Sequence, residues 1–276
     1  APLAPKAAAR MAALQKKHAR TWLRSLDRCL FVKGREVFEN GFLAEVSLRV
    51  TDFVPRPSDP VLATIARLGV WGGEGAAVKA LLGSPLLAQV RSFTGSPTLA
   101  AALCPAALER LEVLATELQS RADLEVLRAL RAPSLTTLRL DKGVIDSAGE
   151  RYTPEELYAL PCLRQVKHLM IRCSVTPGPW LKAAVKLRAL ETLIIEAPTQ
   201  FEFHFDLGST PARLRVRPKS YFTPPDERDA EYLLLGPLAS LPPEVRRGAV
   251  MQLPAGVKLP AKSLRRLKEL EVPPQA

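Results

Sequence analysis

Residues 134–143, SLTTLRLDKG, place leucines at 135, 138 and 140. A helix would put Leu135 and Leu138 on one face and swing Leu140 away. An isolated strand would pair Leu138 with Leu140 and leave Leu135 on the other side. Neither period fits all three, so recurrence decides the reading. Written as apolar-x-x-apolar-x-apolar, the triplet returns as Leu43, Val46, Leu48; Ile65, Leu68, Val70; Leu108, Leu111, Val113; Val166, Leu169, Ile171; Leu190, Leu193, Ile195; and Leu267, Leu270, Val272. Two weaker copies are Leu87, Val90, Ser92 and Pro211, Leu214, Val216. The starts at 43, 65, 87, 108, 135, 166, 190, 211 and 267 are separated by 22, 22, 21, 27, 31, 24, 21 and 56 residues.

Between the triplets lie segments with apolar residues at helical spacing and Pro or Gly at an end: GEGAAVKALLGSP, ADLEVLRALRAP, TPEELYALP and PGPWLKAAVKL. In the third, Thr153 is placed to cap a helix, with Pro154 at its first position and Glu156 completing a capping box. The expected fold is therefore α/β, a solenoid of short parallel strands alternating with helices or irregular segments in an irregular horseshoe. No rung buries its apolar face alone, so neighbours must stack. Residues 7–30 carry Met11, Leu14, Trp22 and Leu26 among Lys16, Lys17, Arg20 and Arg24, which predicts an amphipathic basic helix capping the first rung. A membrane or nucleic-acid contact is the sharper reading of that helix. Residues 218–245 are Pro-rich and charged and read as an insertion or broken rung, with a final strand expected over 267–272.

KKHARTWLRSL followed by REVFENGFLAEVSL, with His18, Trp22, Leu23, Phe38, Gly41, Phe42 and Leu43 as the matching residues, resembles the entry of bacterial leucine-rich-repeat-like arrays that accompany a short "repeat-companion" domain. Most of the steps above fall in or near the 20–29 residues of such a repeat. The resemblance spans about residues 13–217. It departs in two ways: the Asn or Cys expected after the third apolar position is mostly missing, and the companion domain is not in the chain. The resemblance and the repeat together divide the chain into a cap and entry segment (1–42), the array (43–217) and an insertion with a C-terminal repeat or cap (218–276).

Hydrophobic residues make up 47% and charged residues 24%, which places the chain among folded proteins rather than disordered ones. No apolar run approaches the ~20 residues that span a bilayer. Cys29, Cys104, Cys162 and Cys173 form no C-x-x-C pair and sit among apolar neighbours, which predicts reduced, buried thiols in a cytoplasmic protein. No secretory signal is evident, and the start APLAPKAAAR without methionine suggests a piece of something longer.

Signals for chemistry are sparse. FEFHFDLG alternates Phe201, Phe203 and Phe205 with Glu202, His204 and Asp206. A metal site there fails on distance, since at about 3.3 Å per residue the outer two carboxylates lie ~13 Å apart. VWGGEGAAVKALLGS has Gly72, Gly73 and Gly75 before a helix but lacks the Gly-Lys-Ser/Thr ending of a phosphate loop, so it reads as a turn. His168 near Cys162 or Cys173 invites a thiol nucleophile, but packing is the ordinary role of such cysteines. No catalytic residue, metal or cofactor is expected.

What remains is the open, concave face of the strands. The residues flanking the second and third apolar positions include Arg67, Trp71, Arg91, Phe93, Arg139, Asp141, Met170, Arg172, Arg213, Arg215 and Arg217. Arginine with aromatics and methionine is the composition of a protein contact surface. With 39 Lys and Arg against 28 Asp and Glu, the partner expected is a protein with an acidic surface. Nucleic-acid binding is the alternative, and a recognition or regulatory role within a larger protein or complex is a third expectation.

Overall fold

The computed structural model describes residues 9–10, 13–14, 17–18, 21–32, 35–39, 42–51, 53–141, 152–172, 177–184, 186–196, 201–209, 212–218, 234–247, 249–252, 259–272 and 274–275. Their contacts divide into two units, residues 1–115 with 129–135 and residues 116–128 with 136–276. Both are α/β. Among the described residues no helix is long and apolar enough to cross a membrane.

The first unit is built on strands β1 (Val37–Glu39), β2 (Phe42–Val50), β3 (Arg67–Gly72), β4 (Ser92–Thr94) and β5 (Val113–Thr116), hydrogen-bonded in sequence order. β1 and β2 pair antiparallel, and each later pair is parallel. Parallel neighbours require crossovers. These are a 3-10 turn over Pro60–Thr64, then α1 (Ala76–Leu82) with a 3-10 turn at Pro85–Gln89, then α2 (Pro97–Ala101) and α3 (Pro105–Arg110). Three of these segments open on one signal. Asp59-Pro60, Ser84-Pro85 and Ser96-Pro97 each place a side-chain oxygen on a first-turn N–H and a proline where its missing donor costs nothing. The described residues between 9 and 23 are helical, and Leu23 and Leu26 are buried. The glycine turn after β3 is as expected, with Gly72 at φ 113° close against the Val50 carbonyl.

The inward row that holds this unit is Val46, Leu68, Phe93 and Leu114, matched across four strands and buried throughout. That row corrects two rungs. The copies expected to start at Leu87 and Leu108 start three residues later, at Val90 and Leu111. Val113 and Ser92, expected inward, fall in the open-face row that continues through Arg67 to Glu45, while Phe93 and Leu114, expected outward, are 0% exposed. The reason is a second apolar spacing of three. Leu62, Ile65, Leu68; Leu87, Val90, Phe93; and Leu108, Leu111, Leu114 all climb from a helical turn into a strand. The amides of Ile65, Val90 and Leu111 bond the carbonyls three residues back at 3.2, 3.0 and 3.4 Å. The triplet therefore matches at two offsets. The third inward position, which would have broken the tie, holds Gly95 in one rung and Thr116 in the other. A Cβ at Gly95 would lie 2.9 Å from the Phe93 ring, so the small residue makes room for the large one.

The second unit contains β6 (Thr137–Leu140), β7 (His168–Arg172), β8 (Thr192–Glu196), β9 (Phe201–Asp206), β10 (Arg213–Pro218), β11 (Val250–Gln252) and β12 (Pro274–Gln275), again in sequence order. Its helices are α4 (Arg121–Ala129), α5 (Pro154–Tyr158), α6 (Pro177–Ala184), α7 (Gly236–Ala239), α8 (Pro243–Arg247) and α9 (Ala261–Glu269). The capping box on α5 forms as expected, Thr153 and Glu156 bonding each other's backbone amides at 3.2 and 2.7 Å. Two inward rows run across the strands: Leu138, Leu169, Leu193, Phe205, Leu214, and Leu140, Ile171, Ile195, Phe203, Val216, Met251. All eleven are buried, so the alternation in SLTTLRLDKG and in FEFHFDLG sets which face is core.

Two further expectations change here. β9 runs antiparallel to both β8 and β10, so the chain passes from the copy at 190 to the weak copy at 211 through a meander and not through a helix. Residues 261–269, inside the last expected rung, form α9, and the strand follows at Pro274. Of the Pro-rich stretch, α7 and α8 lead into β11, which is parallel to β10; residues 219–233 lie outside those described. α9 ends on a Schellman turn: the amides of Glu271 and Val272 bond the carbonyls of Lys268 and Leu267 at 3.0 and 2.9 Å, with Leu267 and Val272 buried together. The position that usually carries glycine is Glu271, at φ 59°.

Two stability measurements follow from these placements. Phe93→Ala should lower the unfolding free energy in urea by about 3–5 kcal/mol, as for a core aromatic, and a loss within ~0.5 kcal/mol would mean the ring lies on the surface. Glu271→Gly and Glu271→Ala both remove the same carboxylate, so their difference isolates the backbone. The glycine variant should be the more stable by about 1–2 kcal/mol, and the reverse order would show that the left-handed turn is absent.

Candidate functional site

On the open face of the first unit, strand register sets out three rows. Glu45, Arg67, Ser92 and Val113 form one; Ser47, Gly69, Thr94 and Ala115 form a low row of small side chains; Arg49 and Trp71 form the next. Arg67 is engaged within the chain. Its Nη2 donates to Glu39 at 2.7 Å and its Nε to Glu45 at 2.6 Å, and these two carboxylates raise its pKa further. Arg91 lies at the entry to β4, ahead of the strand itself, and pairs with Glu112 at 3.4 Å. Arg110 likewise donates to Gln89 at 3.0 Å. Phe93 is in the core and leaves the candidate face.

Trp71 keeps its place there and has company that sequence reading missed. Phe31 stacks on it, with centroids 5.5 Å apart and planes at 28°, and the Arg49 guanidinium lies 5.0 Å from the Phe31 centroid. Phe31 is fixed by its own backbone: its amide donates to the Ser47 carbonyl at 2.8 Å, beside an antiparallel bridge between Leu30 and Leu48. The signal available in the sequence was only a Phe-Val pair at 31–32 inside a segment read as cap, with no period to mark it.

The second unit's open face is more regular. Thr137, His168, Thr192, Asp206 and Arg213 make one row; Arg139, Met170, Ile194, His204 and Arg215 the next; Arg172, Glu196, Glu202 and Arg217 a third. The third row sets two adjacent carboxylates between two arginines, as Arg, Glu, Glu, Arg. Arg172 Nη2 donates to both oxygens of Glu196 at 3.1 and 3.2 Å, and Glu196 is only 7% exposed. Glu202 meets His204 Nε2 at 2.9 Å. Each of the two adjacent carboxylates thus has a cationic or hydrogen-bonding partner already, which keeps the row a cross-strand clamp. Arg139 approaches Asp141 at 3.8 Å. Arg213 and Arg215 are exposed, and among the described residues neither guanidinium has an ion pair.

Burial pushes the Cys29 and Cys162 thiols up to about 11, so both stay protonated at neutral pH and serve as packing groups. Cys104 is also buried and free, and Cys173 lies outside the described residues. Among the described residues no group of three His, Cys, Asp or Glu is placed to hold a metal ion. Arg247, Lys268, Glu271 and Val272 line an open depression of about 410 Å³, where Arg247 Nε is held by Glu271 at 2.6 Å.

The sequence-predicted residues therefore fall into separate groups: Arg67 and Arg91 tied to carboxylates and Trp71 under Phe31 in one unit; Arg139, Asp141, Met170, Arg172, Arg213, Arg215 and Arg217 on one strand face in the other. In comparison with known proteins, no family model matches the chain and no curated protein does.

Proposed function

We propose that the chain is a leucine-rich-repeat-like solenoid that works without catalysis, as a scaffold binding a protein with an acidic surface through the open face of its strands. The repeat reading draws on the rows of matched apolar residues and the turns three residues long that recur at strand entries. The binding reading rests on one observation. The row Arg139, Met170, Ile194, His204, Arg215 sets two half-buried apolar side chains between exposed arginines, with exposed Arg213 beside it. An apolar centre with a cationic rim is what a carboxylate-bearing protein surface fits.

Nucleic-acid binding receives less support. A phosphate track needs uninterrupted cations, whereas here Arg172 is clamped to Glu196 and Arg217 stands opposite Glu202.

The test is a charge reversal at the two arginines that flank the apolar pair. Partners captured from a cell extract by cross-linking are identified, and the affinity of the purified pair is measured. Arg139→Glu with Arg215→Glu should weaken it tenfold or more, about 1.4 kcal/mol. Unchanged affinity would remove the acidic-partner reading. Filter binding of an oligonucleotide whose affinity falls steeply with salt would favour the nucleic-acid alternative instead.

A further inference from the structure

Apolar exposure in this chain is concentrated. Among the described residues, the large hydrophobic side chains left exposed are Leu14, Phe31, Val32, Val37 and Phe42, all of them before Leu43. Phe31 at 40% and Val32 at 41% sit beside the half-buried Trp71. Two arginines rest on rings: Arg49 over Phe31, within this cluster, at 5.0 Å, and Arg28 over Phe53 at 5.5 Å. Among the described residues neither arginine has an ion pair. One row away, Arg67 is held by two carboxylates, so the difference is local. An arginine resting on an aromatic face keeps its outward donors available, because the ring takes none of them in a directional bond.

We infer that Phe31, Val32 and Trp71, with Arg49, form the anchoring patch for an acidic peptide segment that carries one aromatic or branched aliphatic side chain. The apolar side chain packs against Phe31 and Val32, and a flanking carboxylate takes the guanidinium donors of Arg49. Charge complementarity selects this occupant. The patch sets at an apolar centre the Arg49 guanidinium, which has no ion pair among the described residues, and Arg with aromatic residues is the composition that dominates protein contact energetics. A nucleic-acid strand would need the cations to continue, and the next arginine along the face, Arg67, is already neutralised. The inference rests on the acidic-partner reading and adds to it a second contact, in the first unit, at residues outside the strand repeat.

The experiment uses the full chain and defined probes: a labelled dodecapeptide of Glu and Asp with a central Trp-Leu pair, the same peptide with Ala-Ala at the centre, its Lys counterpart, and a twelve-nucleotide oligo-dT. Fluorescence anisotropy should give the Trp-Leu acidic peptide at least tenfold tighter binding than the Ala-Ala or Lys peptides. Phe31→Ala and Arg49→Gln should each reduce that binding tenfold or more. Arg49→Gln keeps an exposed polar side chain, and matching thermal transitions for both variants separate lost contact from lost fold. Binding unaltered by either variant, or no binding of the acidic peptide at all, overturns the patch. Tighter binding of oligo-dT that Phe31→Ala abolishes overturns it in favour of single-stranded nucleic acid. Loss of peptide binding only in the Arg139→Glu, Arg215→Glu chain refutes the patch and leaves the broader reading standing, whereas no loss in any variant refutes both.

Discussion

The fold depends on one apolar side chain at the centre of each strand being matched, in register, to its neighbours on both sides. Val46, Leu68, Phe93 and Leu114 do this in the first unit, and Leu138, Leu169, Leu193, Phe205 and Leu214 in the second. Burying one such side chain stabilises by roughly 1.5–3 kcal/mol, but only if the adjacent strand supplies the wall. Because the side-chain period of a strand is two, a slip of one residue would send the entire row to solvent. The helical turns before the strands add a second row of buried residues, Ile65, Val90 and Leu111 among them, which locks the chain before it enters the sheet.

That same redundancy explains where the sequence misleads. An apolar residue every three positions at a strand entry is physically useful, since it lets one turn and one strand share a core. It also makes two offsets of the triplet equally good by hydrophobicity alone. Where the third inward position was Leu, Ile or Val, as at Leu140, Ile171 and Ile195, the strand register was legible. Where it was Gly95 or Thr116, the reading slid back one turn and turned Phe93 outward. The C-terminal misreading has another origin. Leu267 and Leu270 satisfy a strand triplet, yet LRRLKEL also fits a helix, and only the Schellman turn with buried Val272 shows which period governs. The antiparallel run of β8 to β10 leaves no mark on alternation, because alternation is the same for either strand direction.

The candidate face was legible as a composition and illegible as a site. Spacing locates an arginine on the open side of a strand, but whether its guanidinium is available depends on what stands opposite it, which register decides. Arg67 finds Glu39 and Glu45; Arg172 finds Glu196; Arg215 faces His204 and stays exposed. Glu39 comes from a strand outside the repeat, so no comparison between rungs would have revealed its hold on Arg67. Phe31 entered the face for a similar reason: it is brought there by the bridge of Leu30 to Leu48, a pairing that no local period announces.

Net charge is a weak guide to partner chemistry for the same reason. The excess of eleven positive charges is a sum that includes side chains such as Arg67, Arg91, Arg172 and Arg247, already answered by carboxylates on the same surface. Surface ion pairs of this kind contribute little to stability, about 0–1 kcal/mol each, but they withdraw donors from any incoming ligand. The arginines with recognition capacity are then those whose neighbours are rings or apolar side chains, Arg49 on Phe31 and Arg215 in the row of Met170 and Ile194. Among the described residues neither has an ion-pair partner for an incoming carboxylate to displace, and the new charge is met beside apolar surface, where water screens it least.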